Sequence, residues 1–238
     1  MSTKIVKPGL ALTLLEARAP VELAVQTISF RVYEKSLPKG DGRAVLVIPG
    51  FGAGDLSTFV IRRTLRRLNY HPVGWKMGRN MGTTPKNRAH LKSELERLYN
   101  LTGKKVSVVG WSLGGIFARE LGRSYPEFVH SVVSMGSPFN GDPTANVLHD
   151  VFHKLSKKKF TDEDLEAFNR RRQPPTGIPT IAIYSKTDGV VSWRCSLEEN
   201  TDLTENVEVF SSHCGLGFNP IALSALVKAL DRARVLSP

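Results

Sequence analysis

Between an apolar run at 106–109 (VSVV) and a helix-patterned stretch at 113–125 lies Gly110-Trp111-Ser112-Leu113-Gly114, and this junction constrains the chain more than any other feature. A strand that turns at once into a helix leaves its turning residue in a strained backbone conformation. Small neighbours are then needed for the two elements to pass closely. The serine hydroxyl is held above the sheet edge, with the amino end of the helix beside it to favour an anion. As a bare pattern the pentapeptide fits any flexible Ser/Gly turn. Set between strand and helix, it reads as a turn that presents Ser112 as a nucleophile.

The rest of the chain alternates in the same way. Residues 44–48 (AVLVI) form a continuous β-branched run stopped by Pro49-Gly50-Phe51-Gly52-Ala53-Gly54, the pattern of a strand buried on both faces. A helix capped by Asp55 or Ser57 is expected to run to Leu68. Phe59, Val60, Leu65 and Leu68 lie on its apolar side, and Arg62, Arg63, Arg66 and Arg67 on the other. Further strands are predicted at 72–75, 129–135, 180–184 and 207–210, and further helices at 86–101, with Leu91, Leu95 and Leu98 inward, and at 220–235. Segments 10–18 and 21–33 read as apolar-faced helices packing outside the sheet. Alternating strands and helices imply right-handed crossovers, so the fold class is α/β: a mostly parallel central sheet of about six strands with helices on both faces. With 238 residues and no linker, residues 1–238 are expected to form a single domain. A small helical lid insertion is expected at about 140–178, because loops this long are usually functional.

In an open α/β sheet the chemistry collects where strands end at their carboxyl side. A serine needs a base, and the base an orienting acid. His213 follows the last predicted strand and Asp188 the one before it, giving the chain order Ser112, Asp188, His213. Asp142, after the 129–135 strand, competes for the acid role. The other histidines are worse placed: His71 and His130 begin strands, His90 is on a helix, and His149 and His153 lie in the insertion. An acyl oxyanion needs two backbone N–H donors, expected from Leu113 and from Phe51 in the glycine-rich loop. That loop lacks the spacing of a nucleotide-binding loop.

Taken together, IPGFGAGD, GWSLGG, SKTDGVVSW and SSHCGLGFNP resemble, in this order, the bacterial lipase/esterase-like serine hydrolases of the α/β-hydrolase superfamily, over about residues 43–235. The resemblance implies hydrolysis of carboxylic esters, small-molecule or lipid, through an acyl-enzyme on Ser112, with no metal and no cofactor. An acyltransferase, thioesterase or polyester depolymerase would use the same three residues, and a non-catalytic binding module is the alternative of a different class. Pocket candidates are Trp111, Met77, Met81, Phe139, Trp193 and Leu216, with Val151 and Phe152 in the insertion.

Composition narrows the remaining choices. Hydrophobic residues at 41% and charged residues at 23% exclude a disordered chain, and no apolar stretch reaches membrane-spanning length. No secretory leader is visible in residues 1–20, so a cytoplasmic protein is expected unless a leader was trimmed. Two cysteines, Cys195 and Cys214, flank the acid and base loops, and a disulfide between them or two thiols fit equally well. The 33 Lys and Arg against 22 Asp and Glu give a net charge of +11. Its clusters, Arg62 to Arg67, Lys157 to Lys159 and Arg170 to Arg172, lack the aromatic interleaving of a nucleic-acid site. Attraction to an anionic lipid surface, or solubility alone, remains.

Overall fold

A computed structural model describes residues 7–82, 84–140 and 172–236. Its centre is a six-stranded sheet in which every pairing is parallel. The strands are β1 (Ala44–Ile48), β2 (His71–Gly74), β3 (Val106–Trp111), β4 (Val129–Met135), β5 (Thr180–Tyr184) and β6 (Thr204–Glu208). They lie in the order β2-β1-β3-β4-β5-β6, so the chain reverses direction across the sheet between β1 and β3. Among the described residues the α-helices are α1 (Leu10–Leu15), α2 (Ala19–Tyr33), α3 (Phe59–Arg67), α4 (Pro85–Thr102), α5 (Leu113–Ser124) and α6 (Pro220–Leu236).

Side chains alternate across a strand, so a sheet covered on both sides needs apolar residues at every position. All five residues of β1 are buried. Val45 and Val47 pack with Ile61 and Leu65 of α3 and Leu226 and Leu230 of α6. Ala44, Leu46 and Ile48 face the other way, against Leu91, Leu95 and Leu98 of α4 and Phe117 and Leu121 of α5. Helix α4 starts where Thr84 accepts a hydrogen bond from the Asn87 N–H with Pro85 next in line, and it ends at Gly103 in the left-handed region.

Beyond shifts of one or two residues at element ends and an exposed Phe59 on α3, the structure differs from the sequence-based expectation at three places. The last strand is 204–208, not 207–210, because an edge strand half open to solvent reads TENVE and carries no apolar run. Helix α3 is preceded by Thr58, and Asp55 does not cap it: its carboxylate accepts the N–H groups of Trp75 and Lys76 at 2.9 and 3.0 Å, fastening the end of β2. In α1 and α2 the polarity is inverted. Glu22 and Gln26 are buried, while Leu10, Leu14, Val21, Val25, Ile28 and Val32 are exposed. The cause lies beneath the segment, in the backbone of the loops after β5 and β6, whose N–H groups need acceptors rather than apolar cover. Most of the expected lid lies outside the described residues.

Candidate active site

Ser112 occupies the single residue between β3 and α5, at φ 54° and ψ −122°. A side chain there costs of order 1–3 kcal/mol, held in place by its surroundings. The Ser112 N–H donates to the Met135 carbonyl at 2.8 Å, and the Ser112 carbonyl accepts from Gly115 N–H at 3.0 Å. The flanking glycines are required sterically. A Cβ on Gly110 would collide with the Gly114 carbonyl, and one on Gly114 with the Ile48 carbonyl.

The loop after β1 folds back against this turn. A Cβ placed on Gly50 would sit 3.2 Å from the Ser112 Cβ. Asn80, fully buried, holds the loop from three sides: its side-chain N–H donates to the Pro49 carbonyl at 2.8 Å, its backbone carbonyl accepts from Gly52 N–H at 2.8 Å, and its N–H donates to the Ala53 carbonyl at 2.8 Å. These bonds fix the height of Phe51 and its neighbours above the sheet.

At the far side of the cluster, His213 Nδ1 lies 2.6 Å from Asp188 Oδ2, with both residues buried. The other oxygen, Asp188 Oδ1, accepts from the N–H groups of Val190 and Val191 at 2.8 and 2.7 Å. An ionised carboxylate only accepts, so Nδ1 carries the proton and Nε2 keeps its lone pair. Burial pulls the imidazole pKa down, but the Asp188 charge and hydrogen bond, with a further contribution from Glu16, outweigh it and raise the pKa above the ordinary value. Gly136 follows the Met135 carbonyl that holds Ser112. A Cβ there would come within 3.2 Å of Asp188 Oδ2 and 3.3 Å of His213 Nδ1. Trp111 Nε1 donates to the His213 carbonyl at 3.1 Å. The ends of β3, β4 and β5 and the loop after β6 thus converge on one point.

The pocket candidates separate. Met77 is half-buried against the α4–α5 side of the core, and Met81 is exposed. Phe139 is fully buried beneath the Arg119 guanidinium, 3.9 Å from its ring centre, and Leu216 is core under Gly136. Trp193 stacks on Tyr184 at 5.7 Å. Val151, Phe152 and Asp142 lie outside the described residues. Cys195 is buried and Cys214 exposed, each outside any disulfide. Of the arginines on α3, Arg62 donates to the Asp55 carbonyl and Arg67 pairs with Glu34, while Arg63 and Arg66 face solvent. Sequence reasoning misses Asn80, Glu16 and Glu22, and reads Asp55 as a helix cap where it fastens the end of β2. All four act on backbone groups far away in the chain, where no local pattern marks them.

The architecture is that of the α/β-hydrolase fold. The structure is similar to Aspergillus fumigatus lipase B, with a TM-score of 0.64 and 17% identity over 81% of this chain and 54% of that one. It is also similar to the Bacillus licheniformis lipase BlEst2 in mature form, with a TM-score of 0.58 and 14% identity over 84% and 94% of the two chains. The Pyrococcus furiosus esterase Pf2001 follows at 0.56 and 14% identity, over 81% and 84%. In sequence, the chain is 27% identical over 139 residues to the human serine hydrolase BPHL. That match covers 54% of this chain and 48% of the human protein, so the chain spans about half the length of that relative. No family model matches. Among the described residues no helix is long and apolar enough to cross a membrane.

Proposed function

We propose that the protein is a serine hydrolase of carboxylic esters. The observation that carries this reading is the buried His213–Asp188 pair at 2.6 Å, which packs on Gly136, next to the Met135 carbonyl that holds a serine at positive φ between strand and helix. In this reading His213 Nε2 takes the Ser112 proton as Oγ attacks the acyl carbonyl, and the backbone N–H groups of Phe51 and Leu113 receive the oxyanion. His213 then protonates the departing alcohol. Water, deprotonated by the same imidazole, attacks the acyl-enzyme and releases the acid. Asp188 holds the tautomer and supports the imidazolium charge. Likeness to lipases and esterases supports ester substrates, whether small-molecule or lipid. The test is a panel of p-nitrophenyl esters from acetate to palmitate. Turnover at any length, abolished by Ser112→Ala, supports the proposal, and an inert wild type across the panel overturns it.

Two further results are expected from the same assay. The base works only when neutral, and the His213 pKa is raised, so kcat/KM should fall as pH drops through a value above about 6.5. An acid limb lying below that value would contradict the electrostatics described for Asp188 and Glu16. Replacing Asn80 by alanine removes its side-chain bond to the Pro49 carbonyl and leaves its two backbone bonds, which loosens the loop that carries Phe51. It should lower kcat by about 10²-fold, the size of losing one oxyanion donor, with KM changed little. A rise in KM at unchanged kcat would instead place Asn80 in ground-state binding.

A further inference from the structure

The two loops that carry Asp188 and His213 are tied together by a segment far outside the motifs. Glu16 sits in the turn between α1 and α2. Its Oε1 accepts the His213 N–H at 2.7 Å and the Gly189 N–H at 2.9 Å, and its Oε2 accepts the Cys214 N–H at 3.0 Å. One carboxylate therefore bonds the residue that bears the imidazole and the residue next to Asp188. Glu22, six residues on in α2, repeats the device. Its Oε1 accepts the Ser212 N–H at 2.9 Å, and its Oε2 accepts the Ser212 hydroxyl at 2.7 Å. Arg18 pairs with Glu22 at 3.1 Å and donates to the Thr187 carbonyl at 3.0 Å, while Thr13 Oγ1 donates to the Gly189 carbonyl at 2.9 Å. Residues 187, 189, 212, 213 and 214 are thus all held by residues 13–22.

Glycines in both motifs make room for this contact. A Cβ on Gly189 would collide with the Leu12 carbonyl, and one on Gly215 with the Glu22 carboxylate. The link between the two loops that a Cys195–Cys214 disulfide would have supplied is made by carboxylates and amides.

Resting on the reading of Ser112, Asp188 and His213 given above, we propose that Glu16 is a positioning residue that locks the base loop to the acid loop, with Glu22 as its second fastening. Charge-assisted hydrogen bonds to three amides set the backbone from which the imidazole projects. The same charge lies behind His213 and favours the imidazolium formed when Ser112 gives up its proton. The charged and titratable groups around His213 are Asp188 on the β5 loop, Glu16, Glu22 and Arg18 on the N-terminal segment, and Cys214 beside it. Arg18 is matched by Glu22, so the charge of Glu16 is the part left to act on the ring.

The experiment reads the rate at which a fluorophosphonate labels the serine, as a function of pH, in wild type, Glu16→Gln, Glu22→Gln and Ser112→Ala. No ester substrate needs to be known. Glu16→Gln should be labelled about tenfold or more slowly, since small misplacements of a base are costly. Its acid limb should move to lower pH, because the imidazolium has lost a supporting charge. Amide hydrogen exchange at 189 and 212–214 should accelerate in both Glu variants. A merely structural role would lower the fraction of labelled protein and the unfolding midpoint but leave the acid limb in place, and that outcome overturns the proposal. Wild-type rate and limb in Glu16→Gln, with no label on Ser112→Ala, also overturns it while the Ser112 reading stands. A wild type that takes no label, or a Ser112→Ala variant labelled like wild type, overturns both.

Discussion

Replacing Ser112 by alanine is expected to lower ester hydrolysis by about 10⁴-fold or more, the loss seen when a nucleophile that acts as a unit with its base is removed. The protein should remain folded, because the positive φ of 54° belongs to the backbone and alanine bears the same strain as serine. A second substitution separates chemistry from strain. Ser112→Gly should be equally inactive yet more stable than Ser112→Ala by about 1 kcal/mol, since glycine reaches this conformation without the steric cost. Hydrolysis rates and urea midpoints of the two variants provide the check. Residual activity in Ser112→Ala comparable to wild type would move the nucleophile elsewhere. Equal midpoints for the two variants would mean that the strain described at Ser112 is not stored there.

Some of this molecule could be read directly from the chain and some could not, and the division has a physical basis. Strands β1, β4 and β5 are apolar enough to be recognised because both faces of the sheet are covered. Strand β6 is an edge with one side open, so its alternation is polar and the expected boundary slid three residues along. Ser112, Asp188 and His213 could be placed at strand ends because topology decides where a parallel sheet presents side chains. The same logic is silent about α1 and α2. An amphipathic pattern says which residues share a face, not what lies under it. Here the ground beneath is a row of backbone donors, so Glu16 and Glu22 turn in and Val25 and Ile28 turn out. Asn80 escapes notice, and Asp55 reads as a helix cap, for the related reason that a polar side chain serving distant amides has no period. The disulfide question was open in the sequence because two cysteines near two loops do not fix a distance. In the structure Cys195 is buried beside Val191 and Cys214 is exposed.

Gly114 offers the sharpest test of how tightly the serine turn and the loop after β1 are fitted together. It lies in the first turn of α5, where alanine would ordinarily be favoured over glycine by about 1 kcal/mol. Against that gain stands a collision. A Cβ at this position would overlap the Ile48 carbonyl and lie 2.8 Å from the Pro49 carbonyl oxygen, and neither is the yielding tip of a side chain. Relief requires β1, or the loop leaving it, to move away from Ser112, and overpacking of this kind costs about 3 kcal/mol or more. The clash exceeds the propensity gain, so Gly114→Ala should unfold at lower urea and lose most of its hydrolytic activity, because the loop bearing Phe51 shifts with β1. Gly52 gives the contrast. Its φ of 70° strains any side chain, but open space surrounds its Cβ position, so Gly52→Ala should cost only about 1 kcal/mol and keep the proposed hydrolytic activity. Gly114→Ala with wild-type stability and rate would show that the loop and the serine turn are not held at the separation described. If both properties fall in Gly114→Ala and neither falls far in Gly52→Ala, the requirement for glycine beside Ser112 is one of space, with backbone freedom a minor part of it.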